Sequence, residues 1–380
     1  MSNGGKNTPK ALLCLLLLCL CLGLSFAAEE SPLLPGALDL IEGIDLGPWQ
    51  QQTPGLDIKA LLLRFASGDF AMEDGFAGGL LRESALKELA NCLPKLLRVT
   101  VVALILSLLT TFRAAFQSDD TARLCEMIAY LTAAVPLGFD FMALVDQGQA
   151  TINTMNAIAK NVLPTMISLL ASIGAGVSAA AIEPLVLVAG SFIADFLRGV
   201  LLFALRLMAV LVIVNSLTED GRFSKLLKLA RTFIGWTLGT CFTSFLGLLA
   251  MKGMGGGVFD SVALRATKYA VDSLVPVVGG LFKDSVETLA GCSMIVKNAV
   301  GLTGMLSLCA ALLAPGVSIL VVVAEYRLCA AILQPLGNTR LLQALDDFAS
   351  VLTLLFITLL TVAAIFFVFL ATLMMIGSAF

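Results

Sequence analysis

Long apolar segments alternate with short polar intervals along most of the chain. Segments that approach or exceed the roughly 20 residues needed to cross a bilayer lie at 96–116, 163–181, 184–217, 232–251, 302–324 and 349–376. A weaker candidate, 124–145, contains Glu126, Pro136 and Asp140. The pattern predicts an all-α, polytopic integral membrane protein with about 6–8 transmembrane helices.

The composition supports a membrane protein and excludes several other classes. Hydrophobic residues make up 58% of the 380 residues and charged residues 13%, against about 45–50% and 25% in soluble domains. The net charge of −3 is small and its cations are scattered, so no nucleic-acid partner is expected. Without any histidine, imidazole-based catalysis and metal ligation are excluded. The nine cysteines form no CxxC spacing, so we expect no catalytic, cofactor or metal site.

The N-terminal residues resemble a secretory signal. Residues 1–27 carry Lys6 and Lys10, then an apolar run, then the small residues Ser25 and Ala27. This order predicts a signal peptide cleaved after Ala27, with an uncleaved anchor as the alternative. The acid-rich region 28–95 then lies outside the cytoplasm, either on the membrane or a partner surface or as a solvated lead-in to the first span.

Three charged residues interrupt the apolar segment 184–217. At about 3.6 residues per turn, offsets of three and eleven positions place Asp195, Arg198 and Arg206 on one helical face. Asp195 and Arg198 are spaced to form an ion pair across one turn. Intramembrane charges face a bundle interior or a wet cavity, so this face either lines a conduit or locks two helices together.

The basic loop 218–231 is predicted to be cytoplasmic by its Lys and Arg content. With Ala28 outside and three spans before Pro184, the segment 184–217 must then cross twice or not at all. It is too long for one upright span and too short for two. We therefore predict a broken helix or re-entrant hairpin near Arg198–Gly199, or else that 124–145 does not span.

Small residues four positions apart predict close helix packing in two of the spans. One pair is Gly174 and Ser178, and the other is Gly235 and Gly239, within a GxxxG sequence.

The interval 265–304 is polar and punctuated by Gly and Pro between apolar blocks. Its pattern predicts two amphipathic helices joined at a turn containing Pro276, Gly279 and Gly280. Lys283, Asp284 and Glu287 form a charged face on the second helix. We predict that this block lies outside the cytoplasm and docks on the membrane or on a partner.

These patterns divide the chain into five parts. They are a signal peptide (1–27), an extracytoplasmic N-terminal region (28–95), a first membrane-helix bundle (96–251), extracytoplasmic amphipathic helices (252–300) and C-terminal membrane helices (301–380).

The interval 265–304 also resembles a known protein family. KYAVDSLVPVVGG, DSVETLAGCS and KNAVGLTG, with NVLPTMISLLASIGAGVSAAAIEP upstream and AEYRLCAAILQPLGNTR downstream, resemble the stage III sporulation protein AE family in order and content. The resemblance covers most of the chain, with residues 28–90 as the least diagnostic part.

Two classes of function remain. The residues themselves favour a non-enzymatic membrane subunit of a larger assembly, and the alternative is a stand-alone secondary transporter or permease. The resemblance implies a subunit of the stage III sporulation A channel or secretion-like complex joining mother cell and forespore. It further implies a cytoplasmic ATPase and ring-forming membrane proteins as partners. The implied location is the mother-cell membrane that becomes the outer forespore membrane, and the implied role is that late forespore development requires the protein.

Overall fold

The computed structural model describes residues 35–53, 55–67, 119–173, 192–193, 195–217, 223–253, 279–334 and 339–375, with the single positions 90, 94 and 101. Nearly all of these residues are helical and none is in a strand, which confirms the all-α prediction for this part of the chain. The helices are α1 (Pro35–Glu42), α2 (Gly47–Gln52), α3 (Ile58–Ala66), α4 (Asp119–Ser172), α5 (Leu202–Leu217), α6 (Ser224–Gly253), α7 (Gly279–Leu333) and α8 (Thr339–Met375). The predicted signal peptide and the predicted span 96–116, except position 101, lie outside the described residues.

Helix α4 is continuous for 54 residues and passes through Pro136 and Pro164. We predicted two separate segments here, 124–145 and 163–181, and the structure joins them in one helix as far as Ser172. Proline removes one backbone donor and disfavours a helix interior. The lost hydrogen bond is offset because α4 packs against both α7 and α8, and packing supplies most helix stability in folded proteins.

A π-helical turn, Leu197–Leu201, leads directly into α5. It includes Arg198 and Gly199, where we predicted a break or a re-entrant hairpin. The hairpin is wrong, because the chain is helical from residue 195 to Leu217 and does not reverse. A π turn accommodates one extra residue without ending the helix. The alternative, that 124–145 does not span, stays a prediction.

Helix α7 is continuous for 55 residues and passes through Pro315. The predicted boundary at 300–301 between amphipathic helices and membrane helices therefore falls inside one helix, and the structure has no break there. The second predicted amphipathic helix is instead the first part of α7. Gly279 and Gly280, which we predicted in the turn, are instead the first two residues of this helix, whereas Pro276 and the first amphipathic helix lie outside the described residues.

The core is built around the long hairpin of α7 and α8, which form the most extensive helix contact of the described chain. Helix α4 packs on both of them, while α5 and α6 pack on α8. Helix α8 is buried on nearly all sides between Ala344 and Leu370. An apolar helix surrounded by others in this way is typical of the centre of a bundle.

The N-terminal helices pack inside the molecule rather than extending from it. Helices α1 and α3 lie on α7, and the short α2 lies on α4. Ile41, Ile58 and Leu62 are fully buried at these contacts. We predicted that this region lies on the membrane or a partner surface, or is a solvated lead-in to the first span. Neither interpretation predicted its contact with α7.

Three helical segments of the described chain are long and apolar enough to cross a membrane: Leu197–Asn215, Thr288–Ile332 and Leu342–Met375. They overlap three of the predicted spans and support a membrane protein. The predicted total of 6–8 and the crossing of 124–145 and 232–251 stay predictions.

Candidate functional site

The three charged residues predicted on α5 and its preceding turn lie at a contact between two helices. Asp195 and Arg198 form the predicted ion pair, with Arg198 Nη2 3.2 Å from Asp195 Oδ1. Arg206 reaches α4, where its Nη2 donates to Asp146 Oδ1 at 2.7 Å and to Gln149 Oε1 at 2.9 Å. Arg206 thus links this segment to a second helix. The π turn at Leu197–Leu201 adds a residue between Asp195 and Arg206, so the predicted single face, which assumed a regular α-helix, is wrong for these two residues.

A second cross-link joins Arg198 to α4. Its Nη1 donates to Asn153 Oδ1 at 3.1 Å. The α4 partners Asp146, Gln149 and Asn153 are three and seven positions apart and share one helical face. Because the α4 numbers rise as the α5 numbers fall, the two helices run antiparallel. We refer to these six residues, Asp146, Gln149, Asn153, Asp195, Arg198 and Arg206, as the polar face.

Sequence reasoning missed the α4 half of the polar face. Gln149 and Asn153 lie between the predicted segments 124–145 and 163–181, in residues to which the sequence analysis gave no role. Their spacing of three and seven from Asp146 was a visible signal of a polar helical stripe. The spacing alone does not say which helix faces that stripe, so the pairing required the fold.

The polar face lies on the outside of the described bundle. The side chain of Asp146 is 68% exposed and that of Arg206 is 37% exposed. In water such ion pairs contribute only about 0.2–1 kcal/mol, because solvent screens them. In a membrane the same groups are costly unless protein or water covers them. The arrangement therefore both links α4 to α5 and presents polar groups outward.

A second polar contact is buried in the core. Lys297 on α7 is fully buried, and its Nζ donates to the backbone carbonyl of Met374 at 3.0 Å. The last four carbonyls of an α-helix have no partner within the helix, and Met374 lies in the last turn of α8. Lys297 therefore caps the C-terminal end of α8 from the neighbouring helix.

Two glycines next to Lys297 bring three helices together. A Cβ at Gly301 would meet Met374 Cγ on α8 at 2.6 Å and Met166 Cε on α4 at 3.2 Å. A Cβ at Gly304 would meet Val162 Cγ1 at 3.1 Å. These glycines belong to the KNAVGLTG sequence and their α4 neighbours to NVLPTMISLL, so two of the sequence blocks that resemble the sporulation family contact each other.

The predicted glycine pair on α6 behaves differently. An added Cβ at Gly235 or Gly239 would meet nothing within 4 Å, so the pair has no packing partner within the described chain. The other predicted packing pair, Gly174 and Ser178, lies outside the described residues. The side chains of the predicted charged face, Lys283, Asp284 and Glu287, also lie outside the description, although their backbone belongs to α7.

A surface groove runs along α6. It has a volume of about 820 Å³ and is open on one side. We refer to it as the α6 groove. Large apolar side chains and three threonines line it, among them Phe196, Leu226, Leu229, Phe233, Trp236 and Thr240. Trp236 is 75% exposed, which is unusual for the largest apolar side chain.

One ion pair fixes α6 to the central helix. Arg231 Nη2 lies 2.5 Å from Asp347 Oδ1 on α8, and the two side chains are 26% and 25% exposed. Within the described residues, no group of three or more potential metal ligands is found.

Comparisons with known proteins agree on one family. Residues 56–377 match the family model for stage III sporulation protein AE. A protein named stage III sporulation protein AE from Bacillus subtilis (strain 168) is 29% identical over 324 residues, which is 84% of this chain and 80% of the relative. No solved structure matches the chain.

Proposed function

The chain belongs to the stage III sporulation protein AE family, and we propose that it is a non-enzymatic membrane subunit of the channel or secretion-like complex that joins mother cell and forespore. Its family gives it a role in sporulation. The absence of histidine from the sequence supports a non-enzymatic role, because most general acid–base and nucleophile systems rely on this residue.

The exposed polar face is the observation that carries the proposal. Asp146 and Asp195 are 68% and 53% exposed on helices predicted to lie in or near a membrane. Charged groups at such positions are stable only against protein or water. A neighbouring subunit or a water-filled path through an assembly would supply that environment.

The proposed partners follow the family resemblance. They are other subunits of the stage III sporulation A complex, including a cytoplasmic ATPase and ring-forming membrane proteins, besides membrane lipid. We place the protein as a multi-pass protein in the mother-cell membrane that becomes the outer forespore membrane. There it would support late forespore development.

Copurification tests this proposal. The tagged full-length protein is purified with a mild detergent from sporulating cells of its native host, and bound proteins are identified by mass spectrometry. We expect the ring-forming subunits to copurify with the wild-type protein. They should be lost from the Asp146→Lys variant, because it exposes an unpaired cation on the polar face. Lys160→Asp, an exposed charge reversal elsewhere on α4, is the matched control and should retain the partners.

A stand-alone transporter or permease is the second candidate. The observation that favours it is again the polar face, since charges inside a span also line substrate paths. A lone particle that binds a small molecule and carries no sporulation partner would support the transporter and contradict the channel subunit.

The side of the membrane on which α7 begins is part of the proposal. The basic loop 218–231 is predicted to be cytoplasmic, and one crossing by α6 then places Lys283 outside. Lys283→Cys should react with an impermeant maleimide in intact cells. Labelling only after the cells are permeabilised would contradict this topology.

A further inference from the structure

Two exposed lysines at the start of α6 are next in sequence to the groove-lining residues Leu226 and Leu229. Lys225 and Lys228 lie in the first turns of α6 and are exposed. Neither pairs with an acidic side chain among the residues that the structure describes. Arg231, the next cation along the helix, is instead bound to Asp347 on α8. A positively charged rim therefore lies beside one end of an apolar groove.

The lysines and the groove are aligned along the helix. Trp236 lies eleven positions after Lys225. At 100° and 1.5 Å per residue, the two side chains are therefore roughly 20° apart around the helix axis and about 16 Å apart along it. One leaflet contributes about 15 Å to the hydrocarbon core of a bilayer. A molecule with its charged end at Lys225 would thus extend its apolar part along the groove for the depth of one leaflet.

The dimensions of the groove fit a narrow apolar ligand. Its volume of about 820 Å³ lies within the roughly 300–1,000 Å³ range of small-molecule sites. The lining is formed by Phe196 from the turn before α5 and by apolar side chains of α6. Within the lining, the hydroxyls of Thr232 and Thr237 donate to backbone carbonyls of their own helix, so these groups do not require a polar ligand.

We propose that the α6 groove binds an anionic phospholipid, with one acyl chain along Leu229, Phe233 and Trp236 and the phosphate at Lys225 and Lys228. Basic residues at the cytoplasmic end of membrane helices commonly bind anionic headgroups. The charge of the rim selects the headgroup, and the shape of the groove holds the chain. The proposal rests on the prediction that 232–251 crosses the membrane from a cytoplasmic loop.

Tryptophan fluorescence gives a direct test. The sequence has two tryptophans, and Trp49 is buried with no hydrogen-bond partner for its indole nitrogen among the described residues. Trp49→Phe therefore costs no hydrogen bond and leaves Trp236 as the reporter. The full-length variant is reconstituted into phosphatidylcholine nanodiscs, and phosphatidylglycerol with brominated acyl chains is added in increasing mole fraction. Brominated phosphatidylcholine serves as the parallel neutral probe.

We expect brominated phosphatidylglycerol to quench Trp236 at a lower mole fraction than brominated phosphatidylcholine. Lys225→Gln and Lys228→Gln should each weaken this preference by roughly fivefold, since a lysine near an anionic lipid surface contributes about that factor. Lys160→Gln, which removes an exposed charge from α4, should leave the preference unchanged.

A second pair of variants tests the groove itself. Thr240→Phe fills the groove from within and should reduce quenching by phosphatidylglycerol. Thr243→Phe adds the same ring at an exposed position of α6 that does not line the groove, and should have little effect.

Three results would overturn the proposal. Equal quenching by both lipids would make the groove an ordinary lipid-facing surface without headgroup selection. Quenching by neither lipid would mean that protein covers Trp236 or that it lies outside the hydrocarbon. A preference for phosphatidylglycerol that survives Lys225→Gln combined with Lys228→Gln would place the anionic site elsewhere.

Discussion

Lys297 on α7 and Met374 on α8 are 77 positions apart in the chain and joined by a hydrogen bond of 3.0 Å. The lysine side chain is fully buried, so its ammonium group is held by protein rather than by water. This contact closes the end of the α7–α8 hairpin at which Gly301 also meets Met374.

Replacement of Lys297 should destabilise the protein. Lys297→Met keeps an unbranched side chain, shorter by the ammonium group, and leaves the Met374 carbonyl without this donor, which costs about 1–3 kcal/mol for a buried polar group. We expect a lower thermal midpoint in detergent, monitored by tryptophan fluorescence. Lys160→Met, at an exposed position of α4, is the control. Equal midpoints for Lys297→Met and the wild type would show that the cap is not a stabilising contact.

Side chains at Gly301 should separate the three helices that meet there. Gly301→Val places methyl groups against Met374 and Met166, and overpacking of this kind costs about 1–3 kcal/mol. Gly291 on the same helix has nothing within 4 Å of a Cβ. Gly291→Ala should therefore be neutral or stabilise by up to about 1 kcal/mol through helix propensity. Both are measured by thermal unfolding, and a neutral Gly301→Val would contradict the close packing.

The link between α4 and α5 should be visible in a double-mutant cycle. Arg206→Gln, Asp146→Asn and the double variant are compared by thermal unfolding in nanodiscs. Because Asp146 is exposed, coupling in water would be only about 0.2–1 kcal/mol, whereas a pair shielded by a membrane or a partner should couple more strongly. No coupling would mean that the pair does not hold the helices together.

Charge reversal distinguishes the two interpretations of the polar face. Asp195→Arg should impair sporulation, and Arg198→Asp in the same chain should restore it if the ion pair at 3.2 Å is structural. Heat-resistant spores are counted, and immunoblots confirm equal protein levels. If the double variant is stable but does not restore spores, the face acts by lining a path instead.

The contact of the N-terminal helices with α7 predicts a disulfide. A Cβ at Gly36 would lie 3.3 Å from the Cys292 sulfur, which is close to the geometry a disulfide needs. Gly36→Cys should cross-link to Cys292 on mild oxidation, detected by mass spectrometry of the joined peptides. Gly43→Cys, one residue beyond the end of α1, is the positional control. Absence of the Gly36–Cys292 product would place α1 elsewhere.

The sequence predicted chemistry better than connectivity. The spacing of Asp195 and Arg198 predicted their ion pair, because one helical turn determines that distance. The spacing of Arg206 did not reveal Asp146 and Gln149, because a contact between helices depends on how two surfaces align. The α4 half of the polar face therefore required the fold.

Proline and glycine were the less reliable signals. Pro136 and Pro164 lie within α4 and Pro315 lies within α7, although proline disfavours a helix interior. A long helix that is packed on several neighbours tolerates the loss of one backbone hydrogen bond. The predicted packing pair Gly235 and Gly239 has no neighbour within 4 Å among the described residues, whereas Gly301 and Gly304, for which no contact was predicted, pack closely.

The π turn at Leu197–Leu201 acts as a phase shift in an otherwise regular helix. One inserted residue rotates everything before it by about 100° relative to everything after it. Asp195 and Phe196 therefore do not point in the directions, relative to Arg206, that a regular α-helix of the same length would give them. Deletion of Gly199 would remove that rotation. Phe196 would then turn away from α6 and Asp195 would change direction, while Arg206 would stay in contact with α4. A single residue thus sets the relative orientation of two surfaces, one apolar and one charged, on the same helix.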